Sequence, residues 1–348
     1  MPSNRLVEQE ERPRAVQTAS GDAENKMIAI LRILSESPEP LGSITIARQL
    51  ERYGVFLSER AVRYHLRITD ERGYTQPRGR DGRAVTSEGL EELRMALAPQ
   101  QVGFIIDKLE LLAFQTTFDP RTKTGQVPVN TSLFEKDKFH DALLAMRCAF
   151  EAGICVSQLV AVASEGEKLG AVVVPEGKIG LATVCSVVIN GVLLKACVPM
   201  ESKFGGVLEV IHSMPRRFVA IINYAGTSLD PSEQYIRAKM TDVTGATNGG
   251  HGKILANFRE IVAPSRAIVE AKVAQLKEAG INGVYVLGNT SEPVCQIAVH
   301  MNRVGMVLLG GLNPIAVAAE AGIEVENIAE SGLVDFQRLR SYRELFNK

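Results

Sequence analysis

The sequence predicts a mixed α/β (α+β) chain of two folded parts: a winged helix-turn-helix over residues 24–98, then a duplicated α/β domain over 99–348. Three observations carry this. Residues 25–97 read in the order helix, helix, helix, hairpin, helix. After the "APQQ" that begins at Ala98, short runs of Val, Ile, Gly and Ala alternate with helical stretches. Within that second part, three segments recur in order, each 123–127 residues further along.

The elements follow one by one. Residues 1–23 are polar and lack a hydrophobic period, so a disordered arm is expected there. Met27, Ile30, Leu31 and Leu34 share a helical face, which "SPEPLG" then breaks. "SITIARQLERYG" gives a second helix stopping at Gly54. Ser58 is placed to cap a third helix, which ends near Gly73. "YTQPRGRDGRAVT" reads as a strand pair turning at Asp81-Gly82, and "SEGLEELRMAL" closes the part as a helix. Further on, 101–115 reads as a helix and "TTFDPRTKTGQVPVNTSLF" as a hairpin. Residues 134–152 form a helix with Phe139, Leu143, Met146 and Phe150 on one face.

The repeat sets "CAFEAGICV" (148–156) against "AQLKEAGINGV" (274–284), and "GKIGLATVCSVVINGVLL" (177–194) against "NRVGMVLLGGLNPIAVAA" (302–319). "FGGVLEV" (204–210) matches "ESGLVDF" (330–336). The expected unit is helix, strand, strand, loop, helix, spanning about 140–210 and 266–336. Convergent small-residue loops are the alternative.

Composition excludes several function classes. The net charge of −1 rules out a globally basic protein, so affinity for nucleic acid must be local. Residues 58–83 supply it: seven arginines against four acids. Five scattered cysteines without a CxxC read as reduced thiols of a cytoplasmic protein. No apolar leader or membrane-length run is evident, so the two Asn-x-Ser/Thr sequons, at Asn130 and Asn289, carry no weight. "TNGGHGKI" lacks the first glycine and the final Ser/Thr of a phosphate loop, and the five histidines have no ligand spacing, so no metal or cofactor is expected.

Two constellations remain. With Ser58 as cap, Arg60, Arg63, Tyr64 and Arg67 form one stripe of the third helix, while Ala61, Val62, Leu66 and Thr69 face inward. Guanidinium groups on such a helix can fork onto guanine edges or clamp phosphates of double-stranded DNA. Arg78, Arg80 and Arg83 would ride the hairpin tip beside the adjacent groove. The competing reading is a solvated basic face on a protein-binding helix-turn-helix. The second constellation is a pair of strand-to-helix loops, "ATVCS" (182–186) and "GGLNP" (310–314). Helix N-termini attract carboxylates, and glycines admit a ligand to the backbone. Candidate effector contacts are Thr183, Cys185, Ser186, Asn190, Lys195, Arg259, Gly310, Gly311 and Asn313, with ordinary turn chemistry as the alternative.

"ILRILSESPEPLG", "SERAVRYHLRITDERGYT" and "GRAVTSEGLEEL" resemble the winged-helix domain of the NrpR family of archaeal nitrogen-regulatory repressors. "FDPRTKTGQVPVNTSLF", "GLATVCSVVINGVLLKA", "YAGTSLDPSE", "GKILANFREI" and "GGLNPIAVAAEAGI" resemble its regulatory domain. The resemblance covers about residues 25–340. It implies a repressor of nitrogen-assimilation or nitrogen-fixation genes, with 2-oxoglutarate as the inducing effector and no catalytic residues. It also puts the DNA-contact role on Arg60, Arg63, Tyr64 and Arg67. The chain departs from the best-known layout of two regulatory domains after one head: it has one, plus the arm. The expected partners are operator DNA, a small dicarboxylate and a second copy in a homodimer, with no membrane. Two rival classes stand beside this: a metabolite-processing enzyme with a DNA-tethering head, and a co-repressor acting through a partner.

Overall fold

The computed structural model describes residues 19–37, 39–51, 54–97 and 104–346. The chain divides into two compact units between Gln100 and Gln101. The first has helices α1 (Ala19–Ser35), α2 (Ser43–Leu50) and α3 (Glu59–Glu71), strands β1 (Thr75–Pro77) and β2 (Arg83–Val85), and helix α4 (Ser87–Leu97). Ile30, Ile33, Leu34, Ile46, Leu50, Val62 and Leu66 interlock as its core, one stripe from each of three helices. α1 starts within the stretch expected to be a disordered arm; residues 1–18 lie outside the described residues. The helical run extends N-terminal to Met27 through "ASGDAEN", which has no proline to stop it.

The wing differs from expectation in one respect. β1 and β2 pair antiparallel with Thr75 opposite Val85 and Pro77 opposite Arg83, but the turn is a short 3₁₀ segment, Gly79–Asp81. Gly82 has φ +112°, and a Cβ there would lie 2.2 Å from the Leu41 carbonyl oxygen. Leu41 and Arg83 exchange backbone hydrogen bonds of 3.0 Å, so β2 is held on both sides, and Arg83, in the last pair before the turn, is anchored there.

The second unit begins with α5 (Phe104–Gln115). It continues through β3 (Gln126–Glu135), α6 (Phe139–Glu151), β4 (Leu159–Ser164), the two-residue strands β5 (Lys168–Leu169) and β6 (Val172–Val173), β7 (Lys178–Val184), α7 (Val187–Lys195) and β8 (Met200–Ile211). Then come β9 (Met214–Asn223), α8 (Pro231–Arg237), α9 (Val243–Asn248), β10 (Gly252–Val262), α10 (Arg266–Glu278), β11 (Val284–Thr290), β12 (Arg303–Leu309), α11 (Asn313–Glu320), β13 (Glu326–Asp335) and β14 (Arg340–Ser341). The expected hairpin before α6 is a single bridge, Asp119 with Thr124, leading into the ten-residue β3. Polar turn residues satisfy the first arm locally, because Asp119 accepts from the Arg121 backbone and side chain.

Two five-stranded sheets, ordered β13-β3-β7-β4-β14 and β11-β12-β10-β8-β9, are antiparallel throughout. The order strand, helix, strand, strand, helix, strand occurs twice, as β3-α6-β4-β7-α7-β8 and as β10-α10-β11-β12-α11-β13. Each half opens one strand earlier than the sequence match suggested. Each half also places its last strand in the other's sheet: β8 pairs with β10, and β13 with β3. This exchange brings β3 and β10, and the two helix-start loops, to one place. α7 and α11 are apolar on nearly every side and buried, which fixes where those loops point.

Candidate functional site

In the first unit, α3 divides as its sequence requires. Val62, His65, Leu66 and Thr69 are buried; Arg60, Arg63, Tyr64 and Arg67 are exposed. Ser58 caps the helix, its Oγ accepting from the Ala61 amide at 3.3 Å. Arg63 and Arg67 rest on Glu59 and Glu71 at 3.0 and 3.4 Å. Exposed pairs at this spacing contribute only about 0.3–0.5 kcal/mol, so phosphates can displace the carboxylates easily. Arg78 and Arg80 are exposed on the wing. Arg83 is not available in this way: its Nε donates to Asp70 Oδ2 at 2.8 Å, with the two side chains 27% and 19% exposed. Asp70 also accepts from the Thr75 hydroxyl, itself bonded to Thr69, so a partly buried polar chain clips the wing to α3.

In the second unit β3 and β10 help line a small polar cavity of about 10 Å³, room for roughly one water molecule. Its walls include Asn130 from β3, Cys185 and Ser186 before α7, Asn257 and Arg259 from β10, Gly311 and Leu312 before α11, and Glu330 from β13. Leu109 of α5 and Tyr224 close it. The two halves contribute reciprocally. Asn257 Nδ2 donates to Ser186 Oγ at 3.1 Å, while a Cβ on Gly311 would lie 2.4 Å from Asn130 Nδ2. Gly311 is therefore required at a point of close approach. Neither α7 nor α11 has a side-chain cap.

Arg259 dominates the electrostatics. It is 0% exposed, its Nη1 donates to the Phe258 carbonyl at 3.3 Å, and its Nε and Nη2 have no hydrogen-bond partner. The guanidinium carbon lies 4.9 Å from the Tyr224 ring centroid, a cation–π contact that offsets only part of the desolvation. Opposite are buried acids. Burial pushes Asp230 up to about 6, although it caps α8 by accepting from Glu233 N at 2.9 Å. Burial, with Asp230 beside it, pushes Glu330 well above the usual carboxylate range, against the pull of Lys108 and Arg259. Glu330 Oε2 has no hydrogen-bond partner. Glu330 is thus pushed toward its protonated form, and Arg259, with two unpartnered nitrogens, lines the same cavity. Burial also pushes the Cys185 thiol up, so it is a poor nucleophile.

Comparison with known proteins shows what this architecture belongs to. The family model described as NrpR regulatory domains NRD1 and 2 matches residues 102–341, and a winged-helix model named for ribonuclease R matches 28–93. The chain belongs to the NrpR family. It is 38% identical over 317 residues to the global nitrogen regulator NrpRI of Methanosarcina mazei, covering 91% of this chain and 98% of that one. It is 31% identical to the global nitrogen regulator NrpR of Methanococcus maripaludis, covering 90% of this chain, and spans 54% of that longer protein. A crystal structure of a nitrogen repressor-like protein from Methanococcus jannaschii superposes with TM-score 0.58 at 29% identity, over 68% of this chain and 97% of that one.

Against this NrpR frame, the predicted effector residues separate. Cys185, Ser186, Arg259 and Gly311 meet at the cavity. Thr183 is buried beside it, in register with Asn130, without lining it. Gly310 is filled against Leu255, and Asn313 is committed to the Leu255 backbone, accepting at 2.7 Å and donating at 2.9 Å. Asn190 bonds Ser202 at 3.1 Å. Lys195 lies at the far end of α7 and reaches the Phe114 carbonyl at 3.3 Å, so it is not brought to the site. A larger, open groove of about 690 Å³ holds Lys178, Arg237 and Lys239. Its Lys178 is already paired with Glu326 at 3.1 Å and its other walls carry further glutamates, which makes it the weaker anion site. Sequence reasoning missed Asn130, Asn257, Tyr224 and Glu330. The signal for the first two was present: Asn130 and Asn257 are 127 residues apart, the same offset as the Ala-Gly-Ile triplets.

Among the described residues no group of three His, Cys, Asp or Glu is placed to hold a metal ion, and no helix is long and apolar enough to cross a membrane.

Proposed function

We propose that this chain is a transcriptional repressor of nitrogen-assimilation genes that binds operator DNA through α3 and the wing and is released by a small dicarboxylate. Arg60, Arg63, Tyr64 and Arg67 contact the major groove; Arg78 and Arg80 contact the backbone beside it. Two copies place their heads on half-sites about one helical turn, roughly 34 Å, apart. The family resemblance supplies repression and names 2-oxoglutarate as the effector to try. The observation that carries the effector role is Arg259: a fully buried guanidinium with two unpartnered nitrogens, aimed into a cavity formed by both halves of the domain. Such donors are costly unless an anion completes them. A ligand carboxylate on Nε and Nη2, with Ser186, Asn130 and Asn257 around it, does so. The cavity is too small for that ligand as it stands, so binding selects a more open arrangement, which is what an effector must do to change DNA affinity. Calorimetric titration of 2-oxoglutarate into the full chain and into Arg259→Met tests this. Saturable binding lost in the variant is expected; equal binding by both proteins would remove Arg259 from the site.

A further inference from the structure

The walls of the Arg259 cavity are unequal. β3, β10, α7 and α11 belong to the main core of the unit. Helix α5, which contributes Leu109, packs its Ile105, Leu109, Leu112 and Ala113 into a separate small cluster with Cys185, Val187 and Tyr224. Its polar tether to β13 is Lys108, whose Nζ donates to the Ala329 carbonyl at 2.7 Å and lies 3.9 Å from Glu330 Oε2. Glu330 is the cavity's own buried acid, and Ala329 lines it too. Lys108 therefore stands just outside the rim, held by two groups that a ligand would meet. In the chain, α5 is the next helix after α4 of the DNA-binding unit.

We propose that Lys108 is the second carboxylate-binding cation of this site and that α5 is the wall that moves. The inference rests on the effector reading above and adds to it. One carboxylate of the ligand completes Arg259; the other draws Lys108 away from Ala329 and Glu330. The site thereby selects two carboxylates over one, and occupancy is reported by the helix that follows the head in sequence. The released Glu330 is not left as a buried charge, because it can hold a proton and donate to the ligand.

The test uses the full chain, with 2-oxoglutarate and its monocarboxylate counterpart 2-oxopentanoate as probes. Calorimetry on the wild type is expected to favour the dicarboxylate by about tenfold or more, the worth of one charge-assisted hydrogen bond. Lys108→Gln should shrink that preference to within about threefold, and Lys108→Arg should restore it. A melting scan confirms that each variant folds. The chain has no tryptophan, so Phe114→Trp at an exposed α5 position gives a background-free reporter. Its emission, and amide exchange across residues 104–115, should change on saturation with 2-oxoglutarate. If Lys108→Gln keeps the full preference, or α5 exchange is unmoved at saturation, the inference is overturned although the Arg259 reading stands. If neither probe binds the wild type, both fall.

Discussion

Arg259→Met should stabilise this protein while destroying its response to the effector. The wild-type guanidinium is 0% exposed and leaves Nε and Nη2 unpartnered. Each unsatisfied buried donor costs about 1–3 kcal/mol, or about 2–6 kcal/mol for the two. Against this stand the Nη1 bond to Phe258, about 1 kcal/mol, and the contact with Tyr224, about 0.5–2 kcal/mol. Methionine fills much of the same volume without polar atoms, and the neighbouring Glu330, already disposed to protonate, is not stranded as a charge. The midpoints of these ranges leave a gain of about 2 kcal/mol. For a unit of this size that raises the melting midpoint by roughly 4–8 °C. Differential scanning calorimetry without ligand reads the gain, and the same scan with excess 2-oxoglutarate reads the loss of ligand stabilisation. A variant that melts lower than wild type and still gains from ligand would refute the reasoning, because Arg259 would then be a structural residue with partners of its own.

Three further outcomes follow from the same structure. Arg63→Ala removes an exposed donor from α3, so operator binding measured by anisotropy should weaken by about 1–3 kcal/mol while the melting midpoint stays put. Arg83→Ala breaks the clip to Asp70 and should cost the head about 1–3 kcal/mol in urea unfolding, whereas Arg78→Ala on the exposed wing should leave stability unchanged. Glu330→Gln should flatten the pH dependence of stability. Asp230 (to about 6) and Glu330 are raised in the folded state, so that state binds more protons than the unfolded chain, and stability falls as pH rises through about 4–6 and beyond. The variant should lose part of that fall and melt higher than wild type at pH 7; identical pH profiles would place the buried proton elsewhere.

Most of the head was legible in the sequence, because each feature there is local. The Ser58 cap, the arginine stripe and the apolar face of α3 all follow from helical period over a dozen residues. That Arg83 is paired was not legible, because its partner, Asp70, belongs to another element, and a list of basic residues does not reveal which are neutralised. The second unit was legible as a repeat but not as a site. Cys185, Ser186 and Gly311 could be picked out as lining a common cavity because small residues at a strand-to-helix junction announce themselves. Asn130 and Asn257 were passed over because an asparagine in an apolar strand looks like an interruption. Only the exchange of β8 and β13 between sheets shows that both asparagines face the same cavity. Lys195 and Asn313 are not brought to the cavity for the opposite reason: proximity in sequence to a good loop does not fix which way a helix carries a side chain, and Asn313 points back to bind Leu255.

The most direct test of the account is a fluorescence-anisotropy titration of the full chain on operator DNA, at fixed salt because phosphate contacts make affinity salt-dependent. Wild type and Arg259→Met are compared with and without 2-oxoglutarate, the operator being obtained by selection from random DNA. Without ligand the two proteins should bind DNA equally, and ligand should weaken binding by about 5–150-fold in the wild type alone. An Arg259→Met protein that releases DNA on ligand addition as readily as the wild type would contradict it.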